Sequence, residues 1–264
     1  MYPFEGLLSD KVAIVTGAAG RLGQATAKRL ATSGASVVLA DVAEDRLWPV
    51  VEGLRQDGLN VTSTKLDLRD EASVAHGIAA CVELYGGLDI LDNNAGINLF
   101  DRDGDVTELA ADDWDEILAV NARGAMLMCK HAIPHMVARG GGAVVNISSI
   151  ASITGVRGMT AYAAAKAALN QLTRQVATRY GREGVRANAI AVGVIERERS
   201  RATCPGEPPS DVLKETLLSR LCRPSDVADC VLFLVSPLSA MVTGQIIGLD
   251  GGYLAHEPRA LAAD

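Results

Sequence analysis

Tyr162 and Lys166 stand four residues apart at the start of a long Ala-rich stretch, so on a helix they share one face. A phenol ordinarily titrates near 10, and an ammonium held beside it favours the phenolate. Such a tyrosine can act as a general base near neutral pH. The spacing alone is a weak signal. Five tyrosines and six lysines in 264 residues give a chance Tyr-x-x-x-Lys in roughly one such chain in nine, and its plain reading is two unrelated helix residues. Ser149 changes the odds. It ends an apolar run thirteen residues before Tyr162, a coincidence of roughly one in twenty for a chain with 14 serines.

A second group of residues reads as a phosphate-binding turn. The apolar run from Lys11 ends in Thr16-Gly17, passes through Ala-Ala-Gly-Arg-Leu-Gly at 18–23, and continues as a helix pattern. Gly17, Gly20 and Gly23 let the backbone turn tightly and approach a pyrophosphate at the positive end of that helix, with Arg21 and Leu22 in the same turn. Glycines at such a turn also serve ordinary strand-to-helix connections, so the next strand matters. It ends in Ala40-Asp41, 18 residues after Gly23, where a carboxylate can accept both hydroxyls of an adenosine ribose. The plain alternative for Asp41 is a helix N-cap. The carboxylate would repel a 2′-phosphate, so Asp41 favours NAD over NADP, whereas a guanidinium at Arg21 pulls the other way. A third strand ends at Asp67-Leu68 and a fourth runs into Asn93-Asn94-Ala95-Gly96. Ala95 and Gly96 are small enough for a flat ring to lie against the backbone.

These residues need a scaffold that gathers strand ends along one edge, and the hydrophobic pattern supplies it. Apolar runs fall at Val12–Val15, Ser36–Ala40, Val61–Leu66, Leu88–Leu91, Ala143–Ile147, Val185–Ile190 and Gln245–Leu249. Most are continuous, as in strands covered on both faces, and helix-period stretches such as Leu22–Thr32, Glu71–Leu84 and Ala161–Tyr180 lie between them. The expectation is an α/β, doubly wound parallel sheet (Rossmann fold) in a single domain, with its core at about 10–253. Gly193–Pro209 breaks the rhythm with three prolines and the charged run Glu196, Arg197, Glu198, Arg199, Arg201. It reads as a flexible substrate loop over about 193–214, its arginines a solvated face. Residues 254–264 read as a tail.

Composition narrows the partners. The net charge is −7, with 48% apolar and 22% charged residues, an ordinary globular balance with an acidic excess. Nucleic acid and anionic membrane both attract basic surfaces, so neither is expected as a partner. No apolar run reaches the roughly 20 residues of a membrane span, and Met1–Asp10 lacks the basic and apolar regions of a signal peptide. The cytoplasm is the default expectation. Five scattered cysteines without a Cys-x-x-Cys pair fit a reducing compartment. His131 and His135, separated by Pro134 and lacking a third ligand, give no metal site.

In order and spacing, Thr16–Gly23, Asp67, Asn93-Asn94-Ala95-Gly96, Asn121, Asn146-Ile147-Ser148-Ser149 and Tyr162-Ala-Ala-Ala-Lys166 resemble the short-chain dehydrogenase/reductase family, compact single-domain branch. The ending from Arg223 to Tyr253 is also similar, so the resemblance runs from about Lys11 to Tyr253. It implies a catalytic tetrad of Asn121, Ser149, Tyr162 and Lys166. Tyr162 would exchange the proton of a secondary alcohol while hydride passes between its carbinol carbon and a nicotinamide. Ser149 would hydrogen-bond the substrate oxygen, Lys166 would hold the nicotinamide ribose and acidify Tyr162, and Asn121 would anchor a water chain. The implied cofactor contacts are Gly17, Gly20, Arg21, Leu22, Gly23, Asp41, Asp67, Leu68, Asn94, Ala95, Gly96, Tyr162, Lys166 and the backbone of Ile195. Two departures stand out: Arg21 replaces the middle glycine of the usual string, and Val192 and Glu196-Arg197 replace a proline and a threonine after the sixth strand. A homotetramer or dimer is the implied assembly. Asn98, Leu99, Phe100, Ile150, Ile153, Gly155, Met159 and Val194 would border a mostly apolar substrate pocket, suited to a hydrophobic or cyclic alcohol or its ketone. An NADP-dependent ketoreductase and a nucleotide-binding sensor without turnover are the alternative readings.

Overall fold

The computed structural model describes residues 6–196 and 209–256. Seven parallel strands form one sheet: β1 Val12–Thr16, β2 Ser36–Asp41, β3 Val61–Lys65, β4 Ile90–Asn93, β5 Gly142–Ser149, β6 Val185–Val192 and β7 Ile246–Leu249. Their order is β3-β2-β1-β4-β5-β6-β7. Winding runs outward from β1 in one direction and from β4 in the other, so the reversal falls between these neighbours. Crevices at that point, beyond the carboxyl ends of the strands, are where open parallel sheets bind ligands.

Strands β1, β2, β4, β5 and β6 bury both faces, which explains their unbroken apolar runs, whereas the edge strands β3 and β7 are partly exposed. Along β1, Ala13 and Val15 pack into a layer with α1 (Arg21–Thr32), α2 (Glu44–Gln56) and α8 (Pro224–Val235). Val12 and Ile14 pack into the opposite layer with α3 (Glu71–Tyr85), α5 (Ala125–Ala138) and α6 (Thr160–Tyr180). The doubly wound single domain expected from the pattern is the observed fold, with strand ends within two residues of those expected.

Two stretches differ from the simple alternation. Between α4 (Ala111–Leu118) and α5 the chain forms a π-helical turn, Ala119–Gly124, which holds Asn121. Within the expected loop at 193–214, Ile195 makes a parallel bridge to Cys222, and 209–214 form the short helix α7 (Pro209–Lys214). Arg197, Arg199 and Arg201 lie outside the described residues. At the other end, Leu254 and His256 of the expected tail hydrogen-bond Asp250 and Gly252.

Candidate active site

A cleft of about 660 Å³ opens over the carboxyl ends of β1–β4. Its walls are the 17–23 turn, Asp41, Asp67-Leu68, Asn94–Gly96 and Ile195, so every dinucleotide contact expected from sequence outside the Tyr162–Lys166 pair lines one space. Gly17 has φ +66°, and a Cβ there would stand 2.7 Å from the Ala95 Cα. A Cβ on Gly23 would stand 2.5 Å from the Gly17 carbonyl oxygen. Both glycines are therefore fixed by backbone packing. Helix α1 opens on this turn with no side-chain cap and no acidic residue in its first turn, which leaves its positive end available to an anion.

Asp41 accepts hydrogen bonds from Ala19 N–H (3.0 Å) and Ala43 N–H (2.9 Å), so it ties β2 to the glycine turn and is not the cap of α2. Each of its oxygens keeps a lone pair for a ribose hydroxyl. Arg21 points away from this corner: its guanidinium donates to the Glu196 carbonyl across the cleft (3.1 Å). Arg46, which donates to the Ala19 carbonyl at 3.2 Å, is the cation beside Asp41. Asp67 is held by the Arg69 guanidinium at 2.7–3.2 Å, which draws its carboxyl below the usual range. Asn94 donates to the carbonyls of Thr16 and Gly17, stitching β4 to the turn. The cleft, the glycine cradle and the uncapped helix end fit a dinucleotide.

At the Gly96 end of the cleft, three elements converge. From β5, Ser149 accepts the Ala151 N–H (3.2 Å), which leaves its hydroxyl hydrogen to point elsewhere, and its hydroxyl favours the ionised form of the Tyr162 phenol. Burial raises the phenol above its ordinary value, and the serine partly offsets this. From α6, Lys166 donates to the Ile147 carbonyl at 2.7 Å, with its Nζ 5.6 Å from the centre of the Tyr162 ring. The lysine is itself fully buried and lowered to about 8 by desolvation. Sequence reasoning expected Lys166 to acidify the phenol. In the structure burial dominates both groups and moves them toward neutrality. From the π-helical turn, Asn121 accepts from the Ile97 N–H and donates to the Ile97 carbonyl, both at 2.8 Å. A Cβ on Gly96 would stand 2.8 Å from Asn121 Oδ1 and 3.2 Å from Lys166 Nζ, so Asn121 and Lys166 border one corner, beside the Tyr162 ring that Lys166 faces.

This constellation has relatives. The family described as enoyl-(acyl carrier protein) reductase matches residues 17–254. A probable short-chain type dehydrogenase/reductase of Bradyrhizobium diazoefficiens is 40% identical over 96% of this chain and 90% of its own. The chain belongs to the short-chain dehydrogenase/reductase family. The cis-4-hydroxycyclohexanecarboxylate dehydrogenase of Sinomonas cyclohexanicum is 38% identical, over 94% of this chain and 98% of its own. Among solved structures, a short-chain type dehydrogenase/reductase from Mycobacterium ulcerans superposes with TM-score 0.89 and 31% identity, covering 95% of this chain and 92% of its own. As a family member, the protein is an oxidoreductase built to bind a nicotinamide dinucleotide.

Three residues escaped sequence reasoning. Arg46 and Arg69 lie in the cleft wall, each a single basic residue shortly after a strand-end aspartate. Asp103 sits at the start of α6, although 58 residues separate it from Ala161. No local pattern announces such a partner.

Proposed function

We propose that this protein interconverts a secondary alcohol and its ketone with NAD(H), on an apolar, cyclic class of substrate best represented by substituted cyclohexanols. The observation that carries this reading is the convergence of Ser149, Tyr162, Lys166 and Asn121 at one end of the dinucleotide cleft. The bound nicotinamide supplies the hydride acceptor in oxidation and the donor in reduction. Tyr162 takes the hydroxyl proton as the carbinol C–H bond breaks, and returns it in the reverse direction. Ser149 accepts the Ala151 N–H on one lone pair and keeps its hydroxyl hydrogen to donate to the substrate oxygen. Lys166 spends one N–H on Ile147 and has two left for ribose hydroxyls. Asn121 holds Ile97 and with it the strand end beside Lys166, and anchors the water chain through which protons reach solvent. Arg69 holds Asp67 at the adenine end.

The substrate class follows from the flanks of the strand ends. Phe100, Ile153 and Val194 are exposed apolar residues, and Leu99 packs in the same cluster as Tyr162. Apolar side chains at these positions suit a ring bearing a hydroxyl, and the Sinomonas relative is named for a cyclohexane ring that bears a hydroxyl and a carboxylate. A homotetramer or dimer in the cytoplasm belongs to the same reading; among the described residues no helix is long and apolar enough to cross a membrane.

The test is a panel of cyclic secondary alcohols and ketones, with NADH absorbance followed. Tyr162→Phe should lower turnover by about 10²–10⁴-fold while NADH affinity, read by fluorescence titration, stays within about threefold. A fully active Tyr162→Phe overturns the assignment, and no turnover across the panel favours a nucleotide sensor. Asp41 supports NAD over NADP: NADH should bind more tightly than NADPH, with Asp41→Ala narrowing the gap. Arg46 supports the second reading, an NADP-dependent ketoreductase, because it places a cation beside the ribose corner. Tighter NADPH binding by the unmodified protein would establish it.

A further inference from the structure

The first turn of α6 carries Tyr162 but has no cap of its own. A helix start leaves four N–H groups without intrahelical partners, usually met by a Ser, Thr, Asp or Asn at the N-cap. Here the N-cap is Met159, in the left-handed region at φ 57°, ψ 36°, and its side chain makes no capping hydrogen bond. Thr160 turns its hydroxyl outward and donates to the Gly104 carbonyl at 2.7 Å.

The missing acceptor comes from the segment after β4. Asp103 takes the Ala161 N–H on Oδ1 (2.8 Å) and the Tyr162 N–H on Oδ2 (2.9 Å). Its carbonyl takes the Met159 N–H at 2.7 Å. With Thr160, four hydrogen bonds fasten residues 103–104 to residues 159–162. Asp103 is 2% exposed and has no ion-pair partner among the described residues, so the positive end of α6 is its countercharge. The segment that delivers it is itself fixed. Asp103 N–H donates to the Leu99 carbonyl (2.7 Å), and Arg102 is paired with Asp113 and Glu116 of α4.

We propose that Asp103 is a positioning residue for Tyr162, setting where the phenol stands by clamping the first turn of the helix that carries it. This rests on the reading of Tyr162 as the acid–base group. Terminal turns fray first, and Tyr162 lies at the third helical position, within the turn that the carboxylate holds. An error of about 1 Å in a reacting group costs as much as 10²-fold in rate.

Asp103→Ala should lower kcat by about 10–100-fold, with KM for the alcohol and the directly titrated NADH affinity within about threefold. Asp103→Asn keeps a side-chain carbonyl for one of the two N–H groups and should recover most of the lost kcat. If Asp103→Ala does not fold, Asp103→Asn against Asp103→Leu at matched folded fraction carries the same comparison. The proposal is overturned if kcat is unchanged in Asp103→Ala, if KM and NADH affinity deteriorate together with kcat, or if Asp103→Asn is no better than the alanine or leucine variant. Tyr162→Phe run alongside separates the two claims: an inactive Tyr162→Phe with a fully active Asp103→Ala sinks only the positioning role, and an active Tyr162→Phe sinks the acid–base assignment itself.

Discussion

At the scale of single residues, the site depends on what is small as much as on what is reactive. Lys166 and Asn121 reach the same corner only because residue 96 carries no side chain. Gly96 is unlike the glycines that adopt positive φ, since its constraint is the space taken by its neighbours. A methyl group there would press on Asn121 Oδ1, which two 2.8 Å bonds to Ile97 hold in place, and on the lysine ammonium, which is anchored on Ile147. Neither neighbour can yield without losing a hydrogen bond. Gly96→Ala should therefore lower kcat by at least about tenfold, in keeping with the sensitivity of catalysis to small displacements, while circular dichroism shows the fold unchanged. Steady-state kinetics on the best alcohol of the panel decide it; wild-type kcat in the alanine variant would mean that the Lys166–Asn121 approach is not needed.

The secondary elements show which information is local. Continuous Val, Ile, Leu and Ala runs mark strands buried on both faces, and β1 and β2 follow from them directly. The glycine turn and the Tyr162–Lys166 pair are equally legible, because their spacing is set within one turn of chain. Asn121 is different. Its neighbourhood reads as continuous helix, yet the backbone widens into a π turn over Ala119–Gly124, where the side chain reaches Ile97 on another element. Helical periodicity does not reveal such a turn, which commonly accompanies function. The start of α6 is hidden for the same reason: Gly-Met-Thr-Ala contains a possible local cap in Thr160, but the structure uses a carboxylate 58 residues upstream of Ala161. The electrostatics were also beyond local reading. An i, i+4 Tyr–Lys pair suggests mutual stabilisation of charge, whereas burial of both groups raises one pKa and lowers the other.

For the whole molecule, the centre of the sheet holds a group that works against stability. Asp92 lies on β4 opposite Val15 of β1 and Val145 of β5, which turns its side chain into the apolar layer beneath α1 and α8. It is fully buried, and neither carboxylate oxygen has a hydrogen-bond partner among the described residues. Desolvation pushes its pKa from 3.8 to about 8. The folded protein thus keeps a proton that the unfolded chain has shed across this interval. Stability is fully present below about pH 4, falls as pH rises toward 8, and levels off above it. One pKa unit is about 1.4 kcal/mol, so the span amounts to several kcal/mol. Asp92→Val matches its two neighbours across the sheet and removes the titration. Its Tm should exceed that of the unmodified protein, with a gap that widens from pH 4 to pH 8 and reaches on the order of 10–20 °C there for a chain of this size. Calorimetry or thermal circular dichroism across that range provides the check. A gap independent of pH would show that Asp92 has found a partner or solvent, and that the centre of the sheet is not as dry as its packing indicates.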